Sequence, residues 1–149
     1  MEPIQILDHL IEICVDSESR YRSAAGDVGK AYLEQFFNQQ AASRKRNADE
    51  LDLERKRIGG EGDESGTVAG LLDRAAMDFN VIMSMGMGDT GVVEWCRKDA
   101  QSAIDEYEKA LAQELPLSAR AAVTFQLTQN RSTLASLEKV LRSYGGPRS

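Results

Sequence analysis

The chain repeats its own pattern at a spacing of 86 residues. Tyr21 precedes Gly59 by 38 residues, and Tyr107 precedes Gly145 by the same 38. Both glycines are doubled, as Gly59-Gly60 and Gly145-Gly146. In the same register Ala24 meets Ala110, Phe37 meets Val123 and Leu51 meets Leu137. Two helix pairs built on one plan account for this. They imply a bundle with pseudo-twofold symmetry, and such bundles hold metals or polar clusters at their centre.

The apolar periodicity gives the helices of that plan. A first helix is expected from about Ile4 to Ala25, with the stripe Ile4, Leu7, Ile11, Cys14, Glu18, Tyr21, Ala25 in steps of three and four. Gly26 should end it, and Asp27 should cap the next helix. That second helix is expected from about Gly29 to Ile58. Its stripe reads Leu33, Phe37, Gln40, Arg44, Asn47, Leu51, Glu54, Ile58, and it is polar in the middle, which is unusual for a core-facing seam. A third helix is capped by Asp89 or Thr90 and runs to about Glu114, through Val93, Cys96, Ala100, Ala103, Tyr107 and Leu111. Pro116 then breaks the chain, and Ser118 caps a fourth helix through Val123, Leu127, Asn130, Leu134, Leu137, Leu141 and Tyr144. No strand pattern is found. Between helices two and three, Gly60 to Gly66 reads as a loop, and Thr67 to Met85 carries a shorter helical pattern. A connection of that length can run along a bundle, so that helices two and three point the same way.

Length and composition bound the function. A chain of 149 residues suits one domain, residues 1–149, with a real core. The net charge of −6 argues against general nucleic-acid binding. The N-terminal stretch has no basic region followed by an apolar one, and no apolar run approaches the ~18 residues of a membrane span. A cytoplasmic protein is expected. Cys14 and Cys96 are too few for a disulfide scaffold and read as buried free thiols.

The segments Leu10-Ile11-Glu12-Ile13, Tyr21-Arg22-Ser23-Ala24-Ala25, Glu50-Leu51, Ile58-Gly59-Gly60, Glu64 through Gly70, Tyr107-Glu108-Lys109-Ala110-Leu111 and Leu115-Pro116 carry a resemblance in their order and spacing. The sequence is similar to a bacterial family of ferritin-like four-helix bundles, a domain of unknown function. The resemblance covers nearly the whole chain and implies an all-α, ferritin-like four-helix bundle with a long crossover carrying a short extra helix. Metal-binding members of the wider superfamily place one carboxylate on each of two helices and Glu-x-x-His on each of the other two. Laid on that pattern, Arg44 takes the glutamate place and Asn47 the histidine place on helix two. The 86-residue register moves these to Asn130 and Thr133 on helix four. The inward stretches of the other two helices offer Cys14, Ser17 and Glu18, then Asp99, Ala100 and Ala103. The only histidine, His9, lies away from the centre.

A guanidinium repels a cation rather than binding one. No metal and no cofactor is therefore expected. Glu18 and Arg44 are expected to pair in a central polar cluster with Tyr21, Asn47, Tyr107, Asn130 and Thr133 as neighbours. The other reading of Arg44, within the run Arg44-Lys45-Arg46, sends its head to solvent at the bundle rim. The run Arg55-Lys56-Arg57 reads as a solvated face laced with acidic neighbours. Met83, Met85 and Met87 read as core filler. The function expected is that of a non-enzymatic structural or interaction protein, a homo-oligomer (dimer) in which Val68, Leu71, Leu72, Phe79 and Val81 cover a partner or the bundle itself. The alternative is a metal-binding or oxidoreductase-type protein with a displaced carboxylate site built from Glu18, Glu50, Glu54 and Asp99.

Overall fold

The chain folds as an all-α protein. The computed structural model describes residues 1–59 and 88–145, and these form four helices: α1 (Pro3–Asp27), α2 (Ala31–Arg57), α3 (Asp89–Leu111) and α4 (Leu117–Gly145). No strand occurs among the described residues. The short helix expected over Thr67–Met85, the five apolar residues expected to cover a partner or the bundle itself, and the three methionines from Met83 to Met87 lie outside the described residues.

Helix directions follow from the side chains that meet. On α1 and α2, Asp8 meets Arg55 and Tyr21 stacks on Phe37, so the two run antiparallel. On α1 and α3, His9 meets Glu106 at 2.8 Å and Ser17 meets Asp99 at 3.0 Å, again antiparallel. On α2 and α4, Glu54 meets Ser118 and Arg44 meets Thr133, antiparallel once more. Helices α2 and α3 therefore point the same way, on opposite corners of the bundle. The two helix ends that residues 60–87 join lie at opposite ends of the molecule.

Several helix ends differ from the sequence expectation. α1 runs through Gly26 to Asp27, and Val28 breaks it in an extended conformation while its N–H still bonds the Ala24 carbonyl. Gly26 has a helical neighbourhood that demands no positive φ, so it does not act as a stop. Lys30, not Asp27, stands at the N-cap of α2. Gly59 does act as a stop: its φ of 92° is the left-handed conformation that glycine adopts without a Cβ penalty. Asp89 begins α3 instead of capping it, and its carboxylate accepts the Gly29 N–H at 2.9 Å, pinning the α1–α2 turn to α3. Ser118 lies inside α4. Arg120 donates to the carbonyls of Leu111 (3.0 Å) and Gln113 (2.6 Å), satisfying groups that the end of α3 leaves free.

The core is divided. One apolar cluster joins Leu7, Leu10, Ile11 and Val15 to Leu51, Ile104, Ala119 and Val123. A second joins Ala24, Leu33, Phe37 and Ala41 to Val92, Val93, Cys96 and Leu137. Full burial of each large aliphatic side chain contributes roughly 1.5–3 kcal/mol. Along α1 and α2 a polar layer lies between the two clusters, at Ser17 and Glu18 and at Arg44 and Asn47; α4 meets it with Gln126, Asn130 and Thr133, and all seven are buried.

Candidate functional site

The polar layer is organised by one hydrogen-bonded chain that takes a residue from every helix. The Tyr107 hydroxyl on α3 donates to Gln126 Oε1 on α4 at 2.7 Å. Its single proton is thereby committed, so the Cys14 thiol on α1, 3.1 Å away, donates to the phenol oxygen. Gln126 Nε2 donates to Glu50 Oε1 on α2 at 2.8 Å and to the Asn47 carbonyl at 3.3 Å. Asn130 Nδ2 donates to the Gln126 carbonyl at 3.1 Å. Such chains polarise their members and are strongest when every member is satisfied.

Beside this chain lies Arg44, only 2% exposed. Its Nη2 donates to Thr133 Oγ1 at 2.8 Å, and Thr133 in turn donates to Gln40 Oε1 at 2.7 Å. Its Nη1 donates to Ser43 Oγ at 3.2 Å. The guanidinium carbon lies 5.5 Å from the centre of the Tyr21 ring, a cation–π arrangement. The inward reading of Arg44 is thus the observed one, and the rim reading is not.

Glu18 is buried in the same layer, but it does not pair with Arg44. Its Oε2 accepts from Arg22 Nε at 3.0 Å and Nη2 at 2.8 Å. The reason is local: four residues along one helix place Arg22 directly beside Glu18. Arg44 instead extends across the bundle to α4. The basic runs are only partly a solvated face. Lys45 and Lys56 are exposed and reach Asp49 and Asp52 at 3.2 Å, whereas Arg55 is buried against Asp8.

The four carboxylates of the displaced-site reading are engaged separately. Glu18 holds Arg22 and Glu50 holds Gln126. Glu54 holds Arg57 and Ser118, and Asp99 holds Ser17 and Arg20. Among the described residues no three of His, Cys, Asp and Glu converge on one point.

Burial governs the ionisation of the layer. It raises the Cys14 thiol to about 11, against opposing effects of the Tyr107 bond and the Arg44 charge. It raises Tyr21 to about 12, with Arg44 again opposing, and holds Tyr107 well above the ordinary tyrosine value. Cys96, in the second apolar cluster, rises to about 12 for the same reason. Both cysteines are free and buried. Thiolate, not thiol, attacks disulfide reagents. Neither cysteine should therefore react with an aromatic disulfide reagent in the native protein at pH 8, and both should react promptly in denaturant. Fast reaction of either without denaturant would contradict the burial seen here.

Gln126 is the residue that sequence reasoning passed over. It lies between Val123 and Leu127, and the apolar stripe was traced through those two. A signal was available: Gln126 is the register mate of Gln40, 86 residues earlier. Gln40 stands in the polar stretch of α2 and accepts a bond from Thr133.

Fold and site together define an all-α bundle whose interior is crossed by a hydrogen-bonded layer. The family model described as a domain of unknown function (DUF2383) matches residues 2–113, and the chain belongs to that family. No curated protein and no solved structure shows a significant match. The matched span covers α1, α2 and α3 and stops before α4.

Proposed function

We propose that this protein is a ferritin-like bundle whose di-metal centre has been replaced by an organic polar layer, and that it serves as a structural or interaction protein of the bacterial cytoplasm. The observation that carries the reading is the buried guanidinium of Arg44 at a position where the superfamily pattern has a glutamate ligand. The order of helix directions, with α2 and α3 parallel, supports it. The side chains at the four Glu-x-x-His positions are a guanidinium, two amides and a hydroxyl. They do not fit a di-iron centre, which needs carboxylates to balance charge and an imidazole on each metal. Catalysis by such a centre is no part of this reading. Assembly into a homodimer is.

Elemental analysis of protein purified without chelators, followed by anaerobic titration with Fe(II) and with Mn(II), tests the first part. Only substoichiometric metal and no saturable binding are expected. One or two tightly held metal ions per chain would replace this reading with the displaced carboxylate site. Sedimentation at micromolar concentration tests the second part; a dimer is expected, and a monomer would remove self-association from the proposal.

A further inference from the structure

The outer side of α4 carries a second seam. Ser118, Ala121, Phe125, Thr128, Ser132 and Ala135 follow one another in steps of three and four, and all six are exposed. That is the spacing by which one helix packs on another, knobs into holes. No charge interrupts it. The two charged residues of the stretch turn away to α3, where Arg120 holds the Leu111 and Gln113 carbonyls and Arg131 holds Glu108. Phe125 is 61% exposed, and beside it on α2 Leu53 is 56% exposed. Scattered singly such residues need no explanation; together on an uncharged, heptad-spaced face they mark a surface that meets another protein.

The same face includes opposite charges from α2. Arg46, Glu50 and Leu53 follow at helical spacing, and all three are exposed. Glu50 lies at the α4 border, where its Oε1 accepts from Gln126. Arg46 and Glu50 enter no ion pair among the described residues, with each other or with a third group.

Two midpoints select the occupant. The α4 seam is centred between Gln126 and Leu127, and the charges of α2 are centred on Ala48. These centres lie at one height in the bundle, because Gln126 Nε2 bonds both the Asn47 carbonyl at 3.3 Å and Glu50 Oε1 at 2.8 Å. A twofold axis at that height, perpendicular to the helices, lays α4 antiparallel on α4 of a second copy. Phe125 then faces the partner's Thr128, and each Arg46 faces the partner's Glu50. An isologous interface requires a patch complementary to itself, and this patch has that property. An unrelated partner would leave the coincidence of the two centres without a cause. The size also fits: two helices side by side, ~20 Å wide and ~33 Å long, present ~650 Å² in projection, close to the ~800 Å² per partner of a stable complex.

We propose that the outward face shared by α2 and α4 is the surface on which a second copy of this chain docks, antiparallel, with Phe125 near its centre and two Arg46–Glu50 pairs at its rim. The inference rests on the self-association in the proposed function and gives it a surface.

Sedimentation of the full chain at micromolar concentration, with variants, is the test. The parent should be a dimer. Phe125→Glu, and separately Ala121→Glu, should raise its dissociation constant about a hundredfold or more, since each change acts twice across the axis. Arg46→Glu, which sets acid against acid at the rim, should weaken it about tenfold. All three positions are exposed, so far-ultraviolet circular dichroism should show the helices intact. The native cysteines are buried, so an introduced thiol reports alone. A short bismaleimide should join Thr128→Cys protomers and leave Lys139→Cys protomers unjoined, because the antiparallel arrangement separates the latter pair by ~37 Å along the helices. A parent that sediments as a monomer overturns this inference and self-association together. A dimer that persists in both Phe125→Glu and Ala121→Glu, or that is joined through Lys139→Cys and not Thr128→Cys, overturns this inference alone and moves the interface to another face.

Discussion

Raising the pH from 9 to 12 should unfold this protein. Four protonated groups are locked in its interior: the thiols of Cys14 and Cys96 at about 11 and 12, and the phenols of Tyr21 at about 12 and of Tyr107 well above its ordinary value. In the unfolded chain the same groups lose their protons near their ordinary values, at 9.0 for the thiols and 10.0 for the phenols. The folded state thus holds protons that the unfolded state has released. Stability is fully present below pH 9, and it falls as pH rises through the folded values. Each group contributes a slope of about 1.4 kcal/mol per pH unit while it is ionised only in the unfolded chain. Acting together, these groups remove on the order of 10 kcal/mol between pH 9 and 12, comparable with the ~5–15 kcal/mol by which domains are stable. Far-ultraviolet circular dichroism and phenolate absorbance, followed together, provide the check. The signals from Tyr21 and Tyr107, both buried, should appear with the loss of helix. Smooth ionisation of all tyrosines near pH 10 with the helices intact would show that the layer is open to water.

Gln126→Ala should lower the unfolding free energy by about 3–5 kcal/mol. Gln126 is fully buried, and its truncation leaves a hole in the layer. Loss of a large buried side chain to alanine is destabilising by ~2–5 kcal/mol. The Tyr107 hydroxyl also loses its acceptor, and the Asn47 carbonyl its donor. Each buried group left unpaired adds about 1–3 kcal/mol, reduced where the Tyr107 proton turns to another acceptor. Gln126→Met separates the two contributions, because it restores most of the volume and none of the hydrogen bonds; about half of the alanine loss should remain. Urea titrations of both variants measure this. If Gln126→Met is as stable as the parent, the chain through Tyr107 contributes geometry and no net stability.

The helices and the identity of the polar stripe were legible in the sequence, because both rest on spacing. Steps of three and four placed Leu7, Ile11, Cys14 and Tyr21 inside, and the same steps put Arg44 and Asn47 on the inner face of α2. Helix ends were less legible. Gly26 marks a stop only when the backbone turns left-handed, and here Val28 makes the break in an extended form. Bond partners were least legible. Glu18 had two arginines within reach, one along its own helix and one across the bundle, and rotamers decide between such neighbours. Gln126 was hidden by its apolar neighbours, although the 86-residue repeat marks its equivalent, Gln40, in the first half. Recognition of the family was open to sequence; membership of the ferritin-like superfamily rests on the proposal above.

The fourth helix closes what the other three leave open. The family match ends at residue 113, yet Gln126 and Thr133, contributed by the helix beyond it, are what bind Tyr107, Glu50 and Arg44. A shortened polypeptide ending there would present a naked cation and an unquenched phenol along a solvent-filled trough. In this protein, then, residues 2–113 hold only part of the layer, and the bonds from α4 complete it.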